Sequence, residues 1–180
     1  MMEVNELQLI AKALAFSSHK HKDQRRKDPG ASPYINHPIA LVNVLVNEGG
    51  VTDVAVIAGA LLHDTIEDTE TTAQELDEHF GSAIREIVEE VTDDKSLDKL
   101  ERKRLQIEHA PHISEQAKLV KLADKISNLR DVVDCPPTKW TLERRQGYFD
   151  WARQVVEGVR GVHPGLEAVF DQVYGLRPVD

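Results

Sequence analysis

Val54-Ala55-Val56-Ile57-Ala58-Gly59-Ala60-Leu61-Leu62-His63-Asp64-Thr65-Ile66-Glu67-Asp68-Thr69 decides how this chain is read, because an uncharged apolar run passes directly into a histidine and three carboxylates. Such a run belongs in a protein core and falls well short of the roughly 20 residues that cross a bilayer. If the stretch stays helical, His63 and Glu67 stand one turn apart on one face, and Asp64 and Asp68 do the same. Like charges this close repel, and burying them uncompensated costs several kcal/mol, so a cation or a proton is the remedy. Imidazole nitrogen beside carboxylate oxygen suits manganese, iron or zinc. The other reading is a solvated polar helix end, tolerated although carboxylates oppose the helix dipole there. Taken alone, the stretch leaves both open.

The rest of the composition narrows the class. A chain of 180 residues, 41% hydrophobic and 29% charged, is long enough for one domain with a sizeable core. A formal charge of −9 argues against a general nucleic-acid binder, although a local basic patch can still take a small anion. The single thiol, Cys135, makes no internal disulfide and no paired-thiol zinc site, which fits a reducing compartment. Residues 1–14 mix Glu3, Asn5, Glu6 and Lys12 among apolar residues and so lack the pattern of a signal peptide. The expectation is a cytoplasmic protein with no membrane and no nucleic-acid partner.

Outward from the central run, helical spacing recurs. Leu7, Ile10, Ala11, Leu14 and Ala15 lead into the basic cluster Lys20-His21-Lys22-Asp23-Gln24-Arg25-Arg26-Lys27, which reads either as a solvated helix end suited to the dipole or as a phosphate site. In Tyr34-Ile35-Asn36-His37-Pro38 the proline suits a first helical turn, so His37 is expected at the mouth of a second helix that stops at Gly49-Gly50. A lone histidine there is a capping or surface residue unless other elements bring it partners. Thr52 is expected to cap the third helix, and Thr72-Ala73-Gln74-Glu75 has the capping-box pattern of a helix stopping near Gly81, with His79 a packing or surface residue.

Ile84, Ile87, Val88 and Val91 continue the period, and the densely charged Asp98–Glu108 is expected to face water, with Lys103 and Arg104 the cations that could turn inward. His109 and His112, beside Pro111, read as loop residues. From Ser114 to Val133 a broad apolar face is set against the polar stripe Lys121, Asp124, Lys125 and Asn128; Asp124 reads as the partner of Lys121 or Lys125, or as a metal ligand. Helical spacing resumes from Trp140 to Gly158, carrying Arg144, Arg145 and Tyr148, and again from Leu166 to Leu176. With no strand-like alternation, repeat or low-complexity segment, the chain reads as all-α and as one domain over 1–180, its core at about 7–156 and a terminal helix and tail at 157–180.

His37, the His63-Asp64 pair and Asp124 fall on three separate helices, which a bundle can bring to one point. In this order they resemble the H…HD…D pattern of the HD hydrolase superfamily. Tyr34–Pro38, Leu61–Thr69 and Val120-Lys121-Leu122-Ala123-Asp124-Lys125 resemble the RelA/SpoT alarmone hydrolases, and Glu89–Lys95 with Lys99–Arg104 resembles more narrowly their metazoan branch. The likeness runs from about Leu7 to Val156 and implies an HD-type helical bundle.

It also implies one divalent metal ion, manganese ahead of zinc or iron, held by His37, His63, Asp64 and Asp124. Glu67 and Asp68 match the catalytic acidic pair. Arg26 and Lys27 match the phosphate-binding edge, and Asn128, Arg144 and Tyr148 match positions near a nucleotide. The implied reaction removes the 3′-diphosphate of ppGpp or pppGpp as pyrophosphate, leaving GDP or GTP. Long members carry synthetase and regulatory domains that this chain is too short to hold, so it is expected to degrade the nucleotide and not to make it. Three alternatives stay open: an NADPH 2′-phosphatase using the same site, an HD 5′-nucleotidase, and a non-catalytic nucleotide sensor.

Overall fold

The protein, seen in a computed structural model, is described over residues 4–179; residues 1–3 of the N-terminal segment and Asp180 lie outside the described residues. The helical periods give α1 (Val4–Lys20), α2 (Asn36–Asn43), α3 (Val54–Leu62), α4 (Thr65–Asp68), α5 (Ala73–Phe80), α6 (Ser82–Val91), α7 (Lys99–His109), α8 (Glu115–Asp134), α9 (Leu142–Glu157) and α10 (Pro164–Tyr174). A π turn, Val44–Glu48, prolongs α2. It closes with the Gly49 N–H donating to the Val44 carbonyl at 3.0 Å. No strand occurs among the described residues; a single bridge between Arg25 and Pro33 pins the α1–α2 loop. No described helix is long and apolar enough to cross a membrane.

Side-chain acceptors set most helix starts. Asp98, Ser114 and Thr141 cap α7, α8 and α9 as short polar residues do when their oxygen takes an orphan N–H. The cap of α3 is Asp53 and not the expected Thr52: its carboxylate accepts from the N–H groups of Ala55 at 2.9 Å and Val56 at 3.4 Å. Thr72 caps α5 as read, accepting from Glu75 N–H at 3.1 Å, whereas the Glu75 side chain pairs with Lys20 at 2.9 Å. Two boundaries also shift. His109 is the last residue of α7, while Trp140 precedes α9 in a turn closed on Pro137.

The larger correction is at His63-Asp64. The α3 helix stops at Leu62, Asp64 takes φ −100° and ψ 1°, and α4 begins at Thr65. Side chains take the terminal carbonyls: Thr65 Oγ1 donates to Leu62 O at 2.7 Å, and His63 Nδ1 donates to Ala60 O at 2.8 Å. The histidine and aspartate therefore occupy the turn itself.

Beneath that turn, α8 is buried almost all round, through Val120, Leu122, Ala123, Ile126 and Leu129. One apolar cluster joins it to α2, α3, α6, α9 and α10, and a second joins α1, α3, α5 and α6. The α3 helix contributes to both, and at Gly59 it presses on α6 so closely that a Cβ would lie 2.8 Å from Ile87 Cγ2. Packing of α2, α3 and α8 thus fixes the three places from which ionisable side chains emerge.

Candidate active site

The α2, α3 and α8 helices bring His37, His63 and Asp124 together, one donor atom from each lying within 4.8 Å of the others. His37 Nε2 is 3.2 Å from Asp124 Oδ1, and His63 Nε2 is 4.0 Å from the same oxygen. Asp64 Oδ2 joins them, 2.9 Å from His63 Nε2 and 3.9 Å from His37 Nε2. The four predicted ligands therefore converge. Tyr34 donates its hydroxyl to Asp64, and Asp124 accepts from Asn128 Nδ2 at 2.6 Å and Lys125 Nζ at 3.0 Å. Of the two ion pairs considered for Asp124, the one with Lys125 forms. Lys121 instead donates to the Val91 carbonyl at 3.0 Å.

The donor set fits a cation. With Nδ1 of His63 donating to Ala60 O, Nε2 is the ring nitrogen turned toward the carboxylates, where it can carry a proton or give its lone pair to a metal ion. That Nε2 is buried, with Asp64 Oδ2 at ion-pair distance but not aligned for a regular hydrogen bond. Burial disfavours charge on the ring, yet the Asp64 carboxylate outweighs it and raises the His63 pKa to about 9. Burial would also raise Asp64 and Asp124, but their neighbours hold both below the ordinary carboxylate range: His63 beside Asp64, and the Lys125 charge with the His37 hydrogen bond beside Asp124. For His37, burial dominates and lowers the pKa. The cluster thus favours two ionised carboxylates around imidazole nitrogens, the arrangement a divalent transition metal satisfies.

On α4, Glu67 Oε2 accepts from the Asp93 N–H at 3.1 Å, while Lys95 and Arg102 each stand 3.9 Å from Oε1. Burial and the nearby Asp64 carboxylate push the Glu67 carboxyl up to about 7. Asp68 accepts from Gln24 Nε2 at 3.0 Å and pairs with Lys95. Gln24 is itself held by His21, Nδ1 to Oε1 at 2.7 Å. His37, His63, Asp64, Glu67, Asp68 and Asp124 all line one cavity of about 300 Å³, so the whole constellation faces a common space.

A second cavity of about 650 Å³ adjoins it. Arg26, Lys27, Asn128 and Tyr148 line both cavities, and Arg144 lines the larger one. The five residues expected near substrate thus all line the larger cavity. Arg26 also pairs with Asp131, and Arg144 lies 4.6 Å over the Trp140 ring. Sequence reading missed Gln24, Lys99 and Trp140 in this wall, and left Lys103 undecided between solvent and site. Lys103 turns inward, 4.6 Å over Trp151 and 5.5 Å over Tyr148, whereas Arg104 stays outside with Glu101 and Glu108. Burial lowers the pKa values of Lys99 and Lys103, and nearby cations lower them further, Arg144 and Lys27 acting on Lys99 and Lys99 on Lys103. The Lys99, Lys103, Gln106 spacing on α7 was the signal that could have marked this inward face.

Known proteins share the same arrangement of chain. A family model described as the HD domain matches residues 13–147. The guanosine-3′,5′-bis(diphosphate) 3′-pyrophosphohydrolase MESH1 of Xenopus tropicalis is 58% identical over 166 residues, covering 92% of this chain and 93% of that one. Its Homo sapiens counterpart is 53% identical over 173 residues, covering 96% and 97%. A solved structure of a metazoan SpoT orthologue described as hydrolysing ppGpp superposes with a TM-score of 0.91 at 47% identity, over 94% of this chain and 95% of that one. Ligand constellation, helical scaffold and relatives agree: the chain belongs to the HD-domain family and, within it, to the group of the MESH1 pyrophosphohydrolases.

Proposed function

We infer that this protein is a metal-dependent hydrolase that removes the 3′-diphosphate of ppGpp or pppGpp as pyrophosphate, giving GDP or GTP. The observation that carries the reading is the convergence of buried His37 and His63 with the Asp64 and Asp124 carboxylates in a cavity whose neighbour is walled by cations and aromatic rings. His37, His63, Asp64 and Asp124 would hold the ion, manganese by preference, with zinc or iron accommodated by the same donors. Bound there, a divalent ion would supply Lewis acidity toward a phosphoryl oxygen and lower the pKa of water.

The chain's own groups have distinct tasks in this reading. Glu67, with its pKa near neutrality, accepts a proton from the attacking water at its carboxylate. Asp68, held by Gln24 and Lys95, orients that water. Arg26 and Lys27 at the junction of the cavities neutralise the diphosphate through charge-assisted hydrogen bonds. Asn128 fixes Asp124 and faces the sugar, Tyr148 offers a ring to the nucleoside, and Arg144 meets phosphate at the outer wall. The nucleotide is a small-molecule partner; a cytoplasmic setting and a single domain over the whole chain complete the proposal.

Glu67→Gln and Asp68→Asn separate hydrolysis from sensing. Each should retain manganese by isothermal titration and lose about 100-fold or more in turnover of ppGpp. Undiminished turnover in both variants would overturn the catalytic assignment.

A further inference from the structure

The α7 helix has no fully buried residue, yet it sends one uncharged side chain into the metal cavity, Gln106. Its amide bridges two groups. Nε2 donates to Asp93 Oδ2 at 2.6 Å, and Oε1 accepts from Lys125 Nζ at 3.0 Å. Each of these leads one step further, since the Asp93 N–H donates to Glu67 Oε2 and Lys125 Nζ donates to Asp124 Oδ2. An unbroken chain of hydrogen bonds therefore runs from the candidate metal ligand Asp124 to the candidate base Glu67, with Gln106 at its middle.

The polarity of the bridge is fixed by its ends. Turned over, the amide would set its NH2 against an ammonium and its oxygen against a carboxylate. Lys125 cannot swing away to accommodate that, for it is only 3% exposed and its Nζ sits 4.3 Å over the Trp151 ring. On the other side, the Asp93 N–H is the hydrogen bond that aims Glu67, since Lys95 and Arg102 at 3.9 Å are beyond hydrogen-bonding reach. Asp93 sits just past the end of α6, beyond its C-cap Thr92, so the helix ladder does not itself fix the Asp93 N–H.

We propose that Gln106 is a positioning residue for hydrolysis: by tying the Asp93 carboxylate to Lys125, it holds the Asp93 N–H where it aims Glu67 at the site of attack. The inference rests on the role given to Glu67 above. Gln106 lines the metal cavity and not the larger one, so the effect belongs in turnover and not in nucleotide binding.

Gln106→Glu is the informative change, because it keeps an acceptor for Lys125 but opposes a carboxylate to Asp93. With ppGpp and manganese, kcat should fall about tenfold or more, while KM and manganese affinity stay within about twofold. Adding Asp93→Asn returns a donor to face the new carboxylate and should recover most of the lost kcat, a rescue that general loosening of α7 would not give. An unchanged kcat in Gln106→Glu, a parallel change in KM or metal affinity, or failure of the second substitution to restore turnover would each overturn the positioning role. Full turnover in Glu67→Gln, assayed alongside, would instead overturn the assignment of Glu67 itself.

Discussion

Glu67 is where function and stability pull in opposite directions. Burial and Asp64 raise its carboxyl from 4.5 to about 7, so the folded state holds a proton that the unfolded chain releases. A raised folded-state pKa stabilises below the unfolded value and loses that contribution as pH climbs through the folded one, here between 4.5 and about 7. The difference corresponds to about 3 kcal/mol in the metal-free protein. Glu67→Gln should therefore raise the melting temperature of chelator-treated protein by several degrees at pH 8 and scarcely at all near pH 4.5. Equal melting of wild type and variant at both pH values would contradict this reading of Glu67. His63, Asp64, Glu67 and Asp68 were legible as a site because charge following an apolar run demands compensation. Gln24 and Gln106 were not, because a glutamine amide has no charge to betray it and gains meaning only from partners distant in sequence.

At the scale of elements, the approach of α3 to α6 sets the height of the His63-Asp64 turn. Gly59 permits it, and Gly59→Ala would bring a methyl group against Ile87 Cγ2. The expected cost is about 1–3 kcal/mol, read from the midpoint of denaturant unfolding, and manganese affinity should fall with it because the turn after α3 carries two of the proposed ligands, His63 and Asp64. Adding Ile87→Leu, which removes the offending branch, should recover part of the loss; a neutral Gly59→Ala would contradict the tight crossing. Helix existence was legible from period alone, from Leu7 through Leu176. The break at Leu62 was not, since nothing in the apolar run announces that Thr65 and His63 will take its last carbonyls. The cap at Asp53 rather than Thr52 reflects a choice between adjacent good cappers that only backbone geometry decides.

Across the whole molecule, a chain of formal charge −9 gathers Arg25, Arg26, Lys27, Lys99, Lys103 and Arg144 around one cavity. Focusing positive potential there while the remaining surface stays acidic suits an anionic small molecule and repels polyanions elsewhere. The basic run at 20–27 was visible in the sequence, but its convergence with α7 and α9 depends on tertiary packing. The central claim is that this cavity delivers a ribose 3′-diphosphate to the four-ligand centre and the Glu67-Asp68 pair. It is tested most directly by incubating manganese-loaded protein with ppGpp, beside Asp124→Ala, and identifying the released product. The account predicts pyrophosphate and GDP in equal amounts, abolished in the variant. Release of orthophosphate instead of pyrophosphate, or equal release by wild type and Asp124→Ala, would contradict it.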